Sequence, residues 1–336
     1  MEVILADAWF ALLAFILFLA VVLDGFDLGV GIISLFARDE NRRAVLMRSI
    51  GPVWHANLTW LVVLGGLLFG AFPLAYGVIL SALYIPIVIM LFGLIFRGVS
   101  FDFRAEARRQ GPWNLAFGWG SLVAALAQGF AVGGFLSGFR VQGGRFVGSV
   151  WDWLNPFAAL LALALVSGYL LLGACYLIMK TEGEIQHDGY RYARVGAWSL
   201  LLLAVGVGLW AVFKYPFLAR KWFVWPGFWL TTFPTALAAW SLVMLMVSLL
   251  KLQEKMPFFW SLLFFALAFF AVAASLHPYV VPPAITAQAA AAPVLTLGVM
   301  VVVVGVLVPV MLIYNGYQYL VFRGKTAAGG YGEYGE

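Results

Sequence analysis

The stretch Val21–Phe36, VVLDGFDLGVGIISLF, decides the fold class of this chain. It is the end of an apolar run that begins near residue 8, long enough to cross about 30 Å of hydrocarbon at about 1.5 Å per residue. Two aspartates, Asp24 and Asp27, interrupt it. An acid at mid-bilayer costs about 2.5–3.5 kcal/mol on insertion scales, so two of them in one run need partners or water. Being three residues apart, they share one helix face. Asp27 lies 11 residues before Arg38, about 16 Å along a helix axis, which places both acids toward one membrane surface.

The rest of the sequence has the same character. Of 336 residues, 64% are hydrophobic and only 10% charged, too few charges for a water-soluble globule. Apolar runs recur near 8–36, 50–71, 76–97, 113–136, 154–179, 193–214, 228–250, 257–276 and 293–321, which predicts an all-α polytopic membrane protein with nine transmembrane helices. The first run lacks a basic leader and is too long for a signal core, so no cleavable signal is expected. The lone Cys175 sits in an apolar run and reads as a small buried hydrophobe. The net charge of +5 comes from residues scattered over short loops, a topological pattern rather than a nucleic-acid surface.

Alternate loops divide the basic residues fifteen to five. The rich set runs Arg38, Arg42, Arg43, Arg48, Arg97, Arg104, Arg108, Arg109, Lys180, Arg191, Arg194, Lys251, Lys255, Arg323 and Lys325. The poor set is Arg140, Arg145, Lys214, Arg220 and Lys221. This asymmetry puts the amino terminus outside and the carboxyl terminus in the cytoplasm. Trp9, Trp151, Trp153, Trp222, Trp225 and Trp229 fall near outer ends and fit an interfacial belt.

A faint duplication runs through the chain. A shift of 144 residues aligns Trp9 with Trp153, Gly29 with Gly173 and Trp54 with Trp198; a shift of 143 aligns Gly25 with Gly168 and Pro73 with Pro216. An even number of spans separates the copies, which makes them parallel repeats. The expected organisation is a first four-helix bundle (1–136), a second (137–276), an outer cap with a ninth helix (277–322) and a flexible cytoplasmic tail (323–336). Asp24, Asp27, His55 and Asn57 fall opposite Gly168, Leu171, Ser199 and Leu201, so the polar chemistry belongs to the first copy.

The second span enters from the same surface as the acids with SIGPVWHANLTW (Ser49–Trp60), and the third ends in LIFRGVSFDFR. His55 is about 10 Å past Arg48, and Asn57 is a little deeper. Asp27, His55 and Arg97 are therefore expected to meet near one depth. Three readings fit: a structural ion pair with Asn57 as interhelical glue, a proton path, or a cation site. Among the histidines, His187 lies in the hydrophilic KTEGEIQHDGYR segment and His277 opens HPYVVPP, so two-histidine haem ligation by this chain alone is not expected. Pro52, Pro86 and Pro309 read as kinks within spans. His277–Pro293 reads as a rigid, uncharged outer cap packed on protein.

VVLDGFDLGVG, GPVWHANLTWLVVLGGLLFGAFPLAYG, LYIPIVIMLFGLIFRGVSFDFR, MKTEGEIQ, PYVVPP and YQYLVFRGK occur in this order over nearly the whole chain. Together they resemble subunit II of the cytochrome bd-type quinol oxidases, particularly the branch called cyanide-insensitive. The resemblance implies a haem-free, nine-helix subunit with no activity alone. Its implied partner is a subunit I of homologous fold that carries haems b and d and the quinol-oxidising loop; the sequence leaves open whether small accessory subunits join them. It further implies a complex in the bacterial cytoplasmic (inner) membrane that oxidises quinol and reduces dioxygen to water with protons from the cytoplasm, without pumping. Carried over onto this sequence, the implied polar path comprises Asp24, Asp27 and Arg97, with Trp54 and Asn57 flanking; the full expected cluster is Asp24, Asp27, His55, Asn57 and Arg97, with Trp54 and Trp60 beside it. His55 departs from the family, which typically has an acid there; an imidazole can relay protons but contributes no negative charge. Gln288 stands where the family leads one to expect Trp, leaving a quinone or lipid contact at the cap open. A secondary transporter, which would build its site between repeats, and a purely structural partner subunit are the competing readings.

Overall fold

The structure, a computed structural model, describes residues 2–215, 221–223, 225 and 227–326. Pro216, Arg220 and the glycine-rich tail from 327 onward, which entered the readings above, lie outside the described residues. Among the described residues nine helices are long and apolar enough to span a membrane. They are α1 (Glu2–Ser34), α3 (Trp54–Ala71), α4 (Pro73–Glu106), α5 (Gly111–Ser137), α6 (Pro156–Lys180), α7 (Gly183–Lys214), α8 (Gly227–Leu250), α9 (Met256–Leu276) and α11 (Val294–Val321). Each matches one expected span, because runs of this length in hydrocarbon can satisfy their backbone only as helices.

The boundaries differ where polar residues continue a helix past the lipid. The third span does not stop at Arg97; α4 runs on to Glu106, so Arg97 is a helix-interior residue in the core rather than a loop charge. The KTEGEIQHDGYR segment is mostly the first turns of α7, with His187 exposed on it. A short amphipathic helix, α2 (Glu40–Ile50), replaces the expected loop between the first two spans. Asp39 caps it by accepting the Arg42 amide at 2.8 Å. Pro52 lies in the turn before α3, outside any helix, whereas Pro86 and Pro309 are helix-interior.

Chain order and the 144-residue offset divide the helices into a first group, α1, α3, α4, α5, and a second, α6, α7, α8, α9; α1 and α5 both pack closely on α6, so the two groups are in continuous contact. The joint is built from glycine. A Cβ on Gly29 would stand 1.8 Å from the carbonyl oxygen of Tyr169, and one on Gly173 would stand 2.5 Å from the backbone of Gly29 and Val30. The two glycines paired by the 144-residue shift thus face each other at one helix crossing. Without a hydrophobic driving force between helices in lipid, such close backbone approach supplies the packing contacts. Next to it, Gly129 and Gly133 of α5 seat on Ala162 and Ala158 of α6 in the same way.

The cap is folded onto the end of the first group away from the basic loops. Strands β3 (Tyr279–Val281) and β4 (Ile285–Thr286) pair antiparallel, and a single turn, α10 (Ala287–Ala290), follows. Val281, Ala287 and Ala290 are buried against the first group, and the Ala292 amide donates to Ala71 O at 2.9 Å. A second hairpin, β1 (Val141–Gln142) with β2 (Arg145–Phe146), lies in the α5–α6 connection. At the basic end the chain after α11 is tied down as far as Thr326. Lys180 donates to Phe322 O and to Gly324 O, the Thr326 amide donates to Lys180 O at 2.7 Å, and Lys325 pairs with Glu254 at 2.9 Å.

Candidate functional site

Four helices carry side chains into one buried polar cluster. α1 supplies Asp24 and Asp27, α3 supplies Asn57, α4 supplies Arg97 and α11 supplies Tyr319; the first four are fully buried, at 1% exposure or less. Arg97 Nη1 donates to Asp24 Oδ1 at 3.1 Å, and its Nη2 lies 3.7 Å from Asp27 Oδ2. Asn57 Nδ2 donates to the same Asp27 oxygen at 2.9 Å. The Tyr319 hydroxyl donates to Asn57 Oδ1 at 2.7 Å. Gln128 of α5 lies beside Asp24 and accepts the Tyr169 hydroxyl of α6 at 2.7 Å, extending the chain of polar groups to the second helix group.

The local sequence explains the convergence. Asp24 and Asp27 share a face of α1 that packs on α3 and α5, and α4 reaches it through the Arg97 side chain. On α3, Trp54 and Asn57 are also three apart and turn together toward α1 and α4; the guanidinium carbon of Arg97 lies 5.9 Å from the Trp54 ring centroid. Phe101, one turn further along α4, stacks on Trp54 at 4.9 Å, closing the cluster on that side. Gly93 and Gly120 face each other where α4 crosses α5, and a Cβ on Gly120 would press on the Arg97 backbone, so the crossing brings that arginine into the core.

His55 does not join the cluster. It is two positions from Asn57, about 200° around the helix, so matching depth cannot bring both to one face. Its ring is exposed and leans on Trp54, with centroids 3.6 Å apart. It starts an exposed stripe along α3 with Thr59, Val62, Gly66 and Phe69. Trp60 is fully buried in the neighbouring core, and no hydrogen bond joins it to the acids. His277 stands at the opposite membrane end, its Nε2 3.3 Å from Asp7 Oδ1; Gln288 donates to the same oxygen at 2.9 Å and so fastens the cap to α1.

Charge arithmetic defines what the cluster can do. Two carboxyls share one guanidinium, so the group is neutral only while it holds one proton. Several of its atoms make no hydrogen bond among the described residues: Asp24 Oδ2, Asp27 Oδ1, and Arg97 Nε and Nη2, the last keeping only its longer ion-pair contact with Asp27. Buried polar atoms of this kind are ordinarily satisfied by ordered water. Outside the membrane, Glu40 at the α2 start holds α4 and α5 together. Partial burial opposes its charge, but hydrogen bonds from Asn114 and Arg104 and the nearby Arg43 bring its carboxyl below the ordinary glutamate range.

Tyr319, Gln128 and Tyr169 were not among the residues expected from sequence. Tyr319 occurs in the YQYLVFRGK motif, and Asn315 and Gln318 beside it are polar residues within a span; that pattern was the available signal.

Fold and site together define a polytopic membrane protein with an acid–arginine cluster in its first helix group. The sequence model of the family described as cytochrome bd terminal oxidase subunit II matches residues 5–322, and the chain belongs to that family. It is 29% identical to cytochrome bd-I ubiquinol oxidase subunit 2 of Escherichia coli (strain K12), covering 96% of this chain and 95% of the relative. It is 32% identical to cytochrome bd ubiquinol oxidase subunit 2 of Bacillus subtilis (strain 168) over 56% of this chain and 58% of the relative. In fold it is similar to a chain in the structure of bd oxidase from Geobacillus thermodenitrificans, with a TM-score of 0.78, 20% identity, and coverage of 94% of this chain and 98% of that one.

Proposed function

We propose that this chain is the haem-free subunit II of a membrane quinol:dioxygen oxidoreductase, that it stabilises a haem-bearing subunit I, and that it lines a cytoplasmic proton route for the reduction of oxygen to water. The buried Asp24–Arg97–Asp27–Asn57 network carries this reading. A single guanidinium between two carboxyls holds the pair together while leaving room for one exchangeable proton. Arg97 keeps the acids from repelling each other. Asn57 orients Asp27, and the unpartnered oxygens of both acids are positions for water. Haems b and d, held by the partner, would supply the redox chemistry; this chain would deliver protons and shape.

The exposed stripe of α3 supports the partner assignment. His55, Thr59, Val62, Gly66 and Phe69 recur at helical spacing, and among the described residues nothing beyond the helix's own nearby backbone lies within 4 Å of a Cβ on Gly65 or Gly66. Small residues on an unpaired helix face allow another helix to approach closely. With subunit I against this stripe, His55 would sit at the subunit boundary, one residue past Trp54, and could pass protons from the cluster side toward the partner. The basic end would face the cytoplasm, with the amino terminus outside. A transporter reading lacks support in the second group, where Gly168 and Leu171 replace the acids.

The test uses the purified complex. Asp27→Asn is expected to slow quinol-dependent oxygen consumption about tenfold or more while the complex keeps its haem bands. Unchanged turnover would remove Asp27 from the route and leave the ion pair as helix packing.

A further inference from the structure

Tyr319 and two polar neighbours lie between the basic end of the molecule and the acids. Asn315, Gln318 and Tyr319 occupy one face of α11 by their spacing. That face meets α3 and the turn before it: Tyr319 donates to Asn57 Oδ1 at 2.7 Å, and Gln318 Nε2 donates to Pro52 O at 3.2 Å. Tyr319 is two residues, about 3 Å of rise, from the end of α11, whereas Asp27 is seven residues, about 10 Å, from the end of α1. The tyrosine is therefore on the approach to the acids from the basic end.

Its hydrogen bond fixes more than the helix. Because a phenol donates to Oδ1 of Asn57, the amide must present Nδ2 to Asp27, which is the geometry observed at 2.9 Å. Without the phenol the Asn57 amide is free to turn its oxygen toward the carboxylate and lose that bond. Asn315, 7% exposed, has a buried Nδ2 with no hydrogen-bond partner among the described residues, and Gln318 has a buried Oε1 with none. On the far side of Asn57, Asp27 Oδ1 and Arg97 Nε are in the same condition. Unpartnered buried polar atoms thus lie on both sides of the Tyr319–Asn57 contact, in a chain whose remaining α11 surface is largely apolar and exposed.

We propose that α11 forms the inner mouth of the proton route, with Tyr319 as a positioning residue that orients Asn57 toward Asp27 and with Asn315 and Gln318 lining the water that reaches them. This rests on the proton-route reading above and adds to it the helix and the residues through which the cytoplasm is reached.

The experiment compares Tyr319→Phe with Asp27→Asn in the whole oxidase complex, reading oxygen consumption from pH 5 to 9 and the haem spectrum. Tyr319→Phe is expected to lower turnover at neutral pH roughly fivefold, about the effect of one neutral hydrogen bond, and to change the pH profile with haem bands intact. Normal rate and profile in Tyr319→Phe beside a slow Asp27→Asn would overturn this inference alone; normal behaviour in both would overturn the proton route itself. Should Tyr319→Phe fail to assemble, accessibility decides. Cys175 is fully buried, so single cysteines can be read against a silent background in this chain by mass spectrometry. In sealed inside-out vesicles, a membrane-impermeant maleimide is expected to modify Gln318→Cys and, more slowly, Asn315→Cys, but not Ile313→Cys on the exposed face. Protection of both Gln318→Cys and Asn315→Cys, or modification only from the other side, contradicts the mouth.

Discussion

The two helix groups place different side chains at corresponding positions. In the first, α1 carries Asp24 and Asp27 into a core closed by Arg97 and Asn57. In the second, the aligned positions of α6 are Gly168 and Leu171; Leu171 is fully buried, and the ring of Phe265 fills the space beside Gly168. Helix packing needs no ions, since the second group manages with glycine, alanine and aromatic contacts. The ions of the first group therefore point to chemistry, at an insertion cost that the second group avoids.

The sharpest way to break this contrast is Arg97→Leu. It leaves two carboxyls in the core without their cation, and removing one partner of a buried pair typically costs about 3–5 kcal/mol. Loss of the assembled subunit, or a large drop in its melting temperature in detergent, is expected; a variant as stable as the parent would mean the acids are already neutral or hydrated enough not to need Arg97. Next in size is the joint between the groups. Gly29→Ala sets a methyl against the Tyr169 carbonyl, and overpacking of this kind costs about 1–3 kcal/mol. A melting temperature unchanged by Gly29→Ala would show that α1 and α6 can part without loss.

His55→Leu should be milder. The ring is outside the cluster, so the fold should be unaffected, while turnover falls if the imidazole relays protons. A rate that matches the parent would leave His55 as surface packing. Smallest is Glu40→Gln on the basic surface. Because the folded carboxyl titrates below its ordinary value, its stabilisation is present above that value and is lost as pH falls through the lowered one. The side chain is about half exposed, at 47%, so the effect is under about 1 kcal/mol, visible as a parent melting temperature that converges on the variant's in acid. Parallel curves at all pH values would show that Glu40 acts by hydrogen bonding alone.

Span number and order were legible in the sequence because each apolar run has only one structure available to it in lipid. The meeting of Asp27 with Arg97 was legible from depth along neighbouring helices, whereas Asp24 entered the cluster through the family resemblance and Asn57 only as interhelical glue. Depth did not fix azimuth, and that is why His55 was expected inside and lies outside. The continuation of α4 past Arg97 was hidden because an arginine at the edge of an apolar run looks like a membrane boundary. Tyr319 was hidden for a different reason: α11 is far away in sequence, and no periodicity says which distant helix completes a cluster. Gly29 and Gly173 were visible as an aligned pair, but only the packed helices show that they touch.

The central claim is that buried acids in the first group exchange protons with the basic side of the membrane. A high-resolution map of the assembled complex with ordered solvent tests it most directly. The account predicts a continuous file of waters from the basic surface, past Gln318 and Asn57, to the free oxygens of Asp27 and Asp24. A dry pocket around Asp27, sealed from that surface by packed side chains, would contradict it.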